Sequence, residues 1–158
     1  MGRSAAGEKT AAPVTKEADL YSWAVRQAQL LRAGRLSEID PTAIAEEIDD
    51  VGEGQYDKFE SALRVVLLHL LKWDHQPEKH SRSWTLPILE HRKRAERQLR
   101  KNPGLKSRLQ EALETAHEEA RLGASIDTGL PPKTFSLERP FDYGEIMERP
   151  ILWPGDEA

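Results

Sequence analysis

Residues 73–84 hold the densest mixture of aromatic and polar side chains in the sequence: Trp73, His75, Lys79, His80, Ser81, Arg82, Ser83 and Trp84. The chain has four tryptophans, so two of them at the ends of one short segment predict a loop that folds back and packs on both. Aromatic faces beside imidazole and guanidinium donors suit recognition of a partner. The same groups could instead pin the loop to a core, with Arg82 capping helix carbonyls or pairing with a carboxylate. Ser81 and Ser83 near His75 and His80 raise nucleophilic catalysis, but nothing resembles Gly-x-Ser-x-Gly and no strand–turn–helix elbow is present to strain a serine. Gly52-Glu53-Gly54 lacks the further glycine or lysine of a phosphate-binding loop.

Two other groupings could carry chemistry. Glu46 and Asp50, four positions apart, and Glu47 and Asp50, three apart, each place two carboxylates on one helix face. His69 stands inside an apolar run and needs a polar partner if buried. Glu47, Asp50 and His69 therefore form a candidate divalent-metal set. Helical di-metal bundles, however, use Glu-x-x-His pairs on two helices, and this chain does not carry two such pairs. The third grouping is the basic series Arg92, Lys93, Arg94, Arg97, Arg100 and Lys101. Such side chains make phosphate contacts whose affinity falls with salt. No helix-turn-helix or zinc-finger spacing accompanies them.

The formal net charge of the 158 residues is −4, which alone argues against an anionic partner. The charge is blocked, however. Residues 36–60 carry nine acidic and one basic side chain, residues 72–110 eleven basic and four acidic, and residues 111–158 four basic and eleven acidic. Either the acidic 46–50 segment and Glu111, Glu114 and Glu118 neutralise the basic block internally, or its basic face meets an anionic partner. With no cysteine there is no disulfide framework and no thiolate chemistry. Residues 65–71 form an uncharged run of seven, far below the roughly 20 apolar residues that a membrane-spanning helix needs. No apolar signal segment opens the sequence, so no membrane contact and a cytoplasmic location are expected.

The elements that must position these residues are helical. Leu and Ala far outnumber Val and Ile, and no period-two alternation or hairpin dipeptide occurs. Residues 1–14 read as a disordered leader. The spacing predicts a helix over 19–33, capped by Asp19 and ended by Gly34, with Leu20, Trp23, Ala24, Gln27, Leu30 and Leu31 on its buried face. A second begins at Asp40-Pro41 with Ile44, Ile48 and Val51 as its stripe, and breaks or bends at Gly52 and Gly54. A third, over 56–73, is apolar on so many sides that it must be central. A fourth spans 84–101 with Trp84, Ile88, Ala95 and Leu99 inward. Pro87 must then fall in its first turn. A fifth starts at Asn102-Pro103 and runs toward Gly129. The tail from 130, with five of the ten prolines, reads as extended chain wrapped over the bundle. One or two helical turns fall near 142–148, and Phe135, Phe141, Tyr143, Ile146 and Trp153 serve as anchors.

These residues resemble a known family. Its pattern is carried by Ile44-Ala45-Glu46-Glu47-Ile48-Asp49-Asp50-Val51-Gly52, His69-Leu70-Leu71-Lys72-Trp73, Gln76-Pro77-Glu78, Ser81-Arg82-Ser83-Trp84 and Gly129-Leu130-Pro131. The chain is similar over about 17–153 to the bacterial family catalogued as domain of unknown function 29. The resemblance implies an all-α fold and a bacterial origin, and no activity. Where the family tends to show Phe-Pro and then Pro-Tyr, this chain has Phe135-Ser136 and Pro140-Phe141, which bears on the tail packing.

The fold expected is an antiparallel up-and-down bundle of about five helices, one domain over 15–153, with residues 154–158 loose. The function expected is non-catalytic. A cytoplasmic helical module binds a protein partner through the 73–84 loop and the basic fourth helix, using Trp73, His75, Lys79, His80, Arg82, Trp84, Arg94 and Arg97. The alternatives are nucleic-acid binding through 72–110 and a carboxylate–histidine metal bundle with hydrolytic activity. No cofactor is expected, a homodimer stays open, and no residue is assigned a catalytic role.

Overall fold

The computed structural model describes residues 14–155. They form helices α1 (Leu20–Arg32), α2 (Pro41–His75), α3 (Arg82–Lys101), α4 (Leu109–Thr128) and α5 (Tyr143–Glu148), joined by short 3₁₀ turns. No strand occurs among the described residues, so the fold is all-α. Residues 1–13 of the expected leader and residues 156–158 of the expected loose end lie outside the described residues. The chain divides into two compact units, Met1–Asp50 and Val51–Ala158.

In the first unit, the Asp19 carboxylate accepts from the Ser22 amide at 3.0 Å and caps α1. Gly34 ends the turn after α1 at φ +70°, a left-handed conformation that glycine adopts without Cβ strain. The Asp40 carboxylate caps α2 by accepting from the Ala43 amide at 3.0 Å. The Asp40 amide donates to Gln27 Oε1 of α1, also at 3.0 Å, which ties the two helices. The buried stripe is narrower than the spacing predicts: Trp23 and Leu30 are buried, while Leu20, Leu31 and Ile48 are exposed. A unit of so few residues has too little partner surface to cover every apolar position.

Helix α2 continues from the first unit through the second without interruption. Of the break or bend expected at Gly52 and Gly54, the break does not occur, and Val51 of the expected stripe is exposed. Each helical glycine costs about 1 kcal/mol relative to alanine, which lowers helix stability without removing a hydrogen bond. The strongly packed turns beyond override that cost. The helix expected over 56–73 is thus the second half of α2, and α5 brings the number to five.

The second unit is built around that half. Phe59, Leu63, Val66, Leu67 and Leu70 are fully buried, as are Ile88 and Ala95 of α3 and Ala112, Leu113, Ala116, Ala120 and Ala124 of α4. Burying each large aliphatic side chain contributes about 1.5–3 kcal/mol. The topology can be read from ion pairs. Glu53 meets Arg108, Arg64 meets Glu119 and Lys72 meets Asp127, and each pair spans 55 positions. A constant offset along two helices means that α2 and α4 run parallel and in register, so α3, between them in the chain, returns antiparallel. At the same offset, a Cβ on Gly123 would meet Leu68 Cδ1 at 2.5 Å; glycine and the alanine stripe let α4 approach α2 closely.

Helix α3 starts at Arg82, two residues earlier than predicted, with Ser81 at its N-cap position. Pro87 therefore sits in the second turn. Its missing N–H costs one intrahelical bond, and Thr85 and Ile88 beside it are buried, so packing holds the helix through it. The tail is anchored as expected by Phe135, Phe141 and Ile146, with Met147 as a further buried anchor and Tyr143 half-buried. A capping box between Asp142 and Glu145 starts α5.

A candidate docking surface on the loop and α3

The 73–84 segment folds back as its tryptophans predict. Trp73 is buried at the end of α2. The His80 ring stacks on it with centroids 3.6 Å apart and planes 18° from parallel. His80 Nε2 also donates to the Trp73 carbonyl at 2.8 Å. The Trp84 ring meets His80 edge-on at 6.4 Å. On Trp84 lies the Lys72 ammonium, 4.8 Å from the ring centroid, which also meets Asp127 at 2.8 Å. Among the described residues Arg82 caps no helix carbonyl; its guanidinium lies 5.3 Å from the Trp153 ring of the tail. His75 donates from Nδ1 to the Leu71 carbonyl at 2.8 Å and tilts against Phe135. Lys79 is exposed in the 3₁₀ turn Pro77–Lys79. A cleft of about 230 Å³ remains between Trp73, His80 and the tail residues Pro150, Leu152 and Pro154.

The two serine hydroxyls bond each other at 2.7 Å, while both neighbouring imidazoles are engaged with backbone carbonyls. This arrangement orients no base onto a serine.

The tryptophans and His80 are thus turned inward, and the outward surface belongs to α3. Arg82, Leu86, Leu89, Lys93, Arg97 and Arg100 recur at spacings of three and four, on one face, and all are exposed. Leu86 is 52% and Leu89 41% exposed. Within their own unit, and among the described residues, Lys93, Arg97, Arg100 and Lys101 make no ion pair; Arg94 pairs with Glu90 of the same helix. Of the acidic 46–50 segment, Glu46 and Glu47 are both taken by Lys16, at 2.9 and 2.8 Å. From the fifth predicted helix, Glu111 is held by Arg108. Arg94 and Arg97 also line a cleft of about 490 Å³ with Lys58, Ser61, His91 and Gln98, among others.

Arg92 leaves the basic series altogether. It falls on the apolar stripe of α3, is 9% exposed, and donates from Nε to the Ile146 carbonyl and from Nη1 to the Arg149 carbonyl, both at 2.8 Å. It therefore closes the C-terminal end of α5, whose last carbonyls have no helical partner. Arg149 in turn grips Asp74 with both Nη atoms, Nη1 at 2.9 Å. Sequence spacing could have flagged Arg92, since it stands four residues after Ile88 on the buried stripe. Nothing in the sequence flags the carbonyls it meets.

The three candidate metal ligands are not gathered. Glu47, Asp50 and His69 all lie on the single helix α2; at about 1.5 Å rise per residue, the 19 positions between Asp50 and His69 keep them apart. Among the described residues no group of three or more His, Asp or Glu side chains is placed to hold a metal. His69 donates to the Val65 carbonyl at 2.9 Å. Burial holds its pKa below the usual histidine range, and the Val65 carbonyl opposes that shift in part. None of the helices, among the described residues, is long and apolar enough to cross a membrane.

No curated protein and no solved structure matches the chain. Residues 16–152 match the family described as Domain of unknown function DUF29, and since that match covers most of the sequence, the chain belongs to this family.

Proposed function

We propose that the chain is a non-catalytic helical module that docks a protein partner on the outer face of α3 and the adjoining 76–84 turn. The observation that carries this reading is the exposed series Arg82, Leu86, Leu89, Lys93, Arg97 and Arg100. Two solvent-facing leucines flanked by cations that pair with no carboxylate among the described residues of their unit match an interface with an apolar centre and a basic rim. The partner suited to it is an acidic segment with apolar anchors. Trp73, Trp84 and His80 hold the adjoining turn in place, in which Lys79 is exposed.

Nucleic acid is the second reading, since the unpaired cations would serve phosphates equally well. The exposed leucines favour protein, because aliphatic side chains gain nothing from a phosphate backbone. The test is affinity capture from the source cell with wild-type, Leu89→Asp and Arg97→Glu chains, beside a binding assay on mixed DNA and RNA across a salt series. Loss of one captured protein in both variants, with no nucleic-acid binding at low salt, supports the reading. Capture unchanged by either variant overturns it, as does salt-sensitive nucleic-acid binding lost in Arg97→Glu but kept in Leu89→Asp.

A further inference from the structure

A cleft of about 480 Å³ lies between α4 and the chain that follows Phe135, away from the α3 face. Its lining includes His117, Arg121 and Arg139 together with Glu114, Glu118 and Glu138. His117 is 4% exposed, yet among the described residues its Nε2 has no hydrogen-bond partner, and neither has the buried Nε of Arg139. Arg139 Nη1 donates to the Phe141 carbonyl, and Arg121 Nε to the Phe135 carbonyl at 3.2 Å. Both guanidiniums are thus held in place by the tail backbone.

A buried polar atom left unpaired forfeits its solvation without return, and native structures rarely hold two in one place. Burial, then the nearby charges of Arg121 and Arg139, keep the His117 imidazole below its ordinary pKa, so these cations stand close enough to oppose its protonation. An anionic acceptor among the three side chains would satisfy what is unmet. The exposed rim says which anion. Glu114 and Glu118 stand one turn apart on α4, and Glu138 is exposed as well. Three carboxylates repel a free dianion but hold an ammonium. The volume lies within the range of small-molecule sites.

We propose that this cleft binds a small zwitterion of the α-amino acid class, its carboxylate among His117, Arg121 and Arg139 and its ammonium at the rim of Glu114, Glu118 and Glu138. The experiment is calorimetric titration of the full chain with the proteinogenic amino acids, their N-acetyl and amide derivatives, and inorganic phosphate. One or a few amino acids bind saturably, and blocking either the amine or the carboxylate weakens binding about tenfold or more. Glu118→Gln, at an exposed position, weakens it about tenfold through loss of one charged contact, and His117→Gln abolishes it. Should His117→Gln fail to fold, Glu118→Gln and the blocked ligands still decide. Absence of saturable binding at millimolar concentration, or phosphate binding as tightly as the best amino acid, overturns the proposal.

Discussion

His80 lies flat on Trp73, centroids 3.6 Å apart, and also donates to that residue's own carbonyl at 2.8 Å. Stacking and hydrogen bond together close the 73–84 loop onto the end of α2. The loop's tryptophans are therefore the support of a surface rather than the surface. Trp73→Ala is expected to lower unfolding free energy by about 3–5 kcal/mol, the usual cost of deleting a buried large aromatic. Denaturant titration checks this. A loss below 1 kcal/mol would mean that the loop is not pinned by this contact.

Arg92 stands in a similar relation to the tail. Arg92→Leu removes two charge-assisted bonds and strands the Ile146 and Arg149 carbonyls, so a loss of about 2–4 kcal/mol is expected. Arg92→Lys recovers little, because an ammonium lacks the planar fork that reaches both carbonyls. Hydrogen exchange should show protection falling first in α5; uniform loss across α2 and α4 would contradict the assignment.

The continuity of α2 predicts the sign of two substitutions. Gly52 and Gly54 have open space where a Cβ would stand, so Gly52→Ala and Gly54→Ala should each stabilise by about 0.5–1 kcal/mol and add helical ellipticity. Destabilisation by either would mean that the glycines are needed for a break.

Stability should fall with acid around and below pH 6.5, the ordinary histidine pKa. His69 and His117 both have folded-state pKa values lowered by burial. The unfolded chain then binds more protons near pH 6, so stability is full above the unfolded pKa and declines as pH falls. Lys72, Asp127 and His91 act on His69, and Arg121 and Arg139 on His117. Glu60 opposes this at lower pH: burial and Glu119 raise its pKa, so its protonation favours the fold as acidity increases. Unfolding measured between pH 8 and 5 should show the histidine slope, reduced in His69→Gln. An unchanged slope in that variant would contradict its buried neutral state.

Much of this was legible in the sequence. Asp19, Asp40-Pro41 and Gly129 mark helix ends through local capping chemistry, and the apolar periods of α2 and α4 name the core. The fold-back of residues 73–84 follows from two scarce tryptophans. Tertiary relations were not legible. Gly52 and Gly54 read as a break or a bend because propensity is local and the packing beyond them is not. Arg92 reads as surface because its type is basic, while its position is apolar. Glu47, Asp50 and His69 read as a cluster only if α2 were two helices. The orphaned Nε2 of His117 depends on the tail returning over α4, which spacing does not reveal.

Docking of a protein on the outer face of α3 can be read out in the cell. A photo-crosslinking residue placed at Leu89 in the source cell tests it most directly, with the crosslinked species identified by mass spectrometry. One dominant protein adduct through an acidic segment with apolar anchors is expected, lost when Arg97→Glu and Arg100→Glu are added. Crosslinks chiefly to nucleic acid, or an adduct indifferent to those charge reversals, would contradict it.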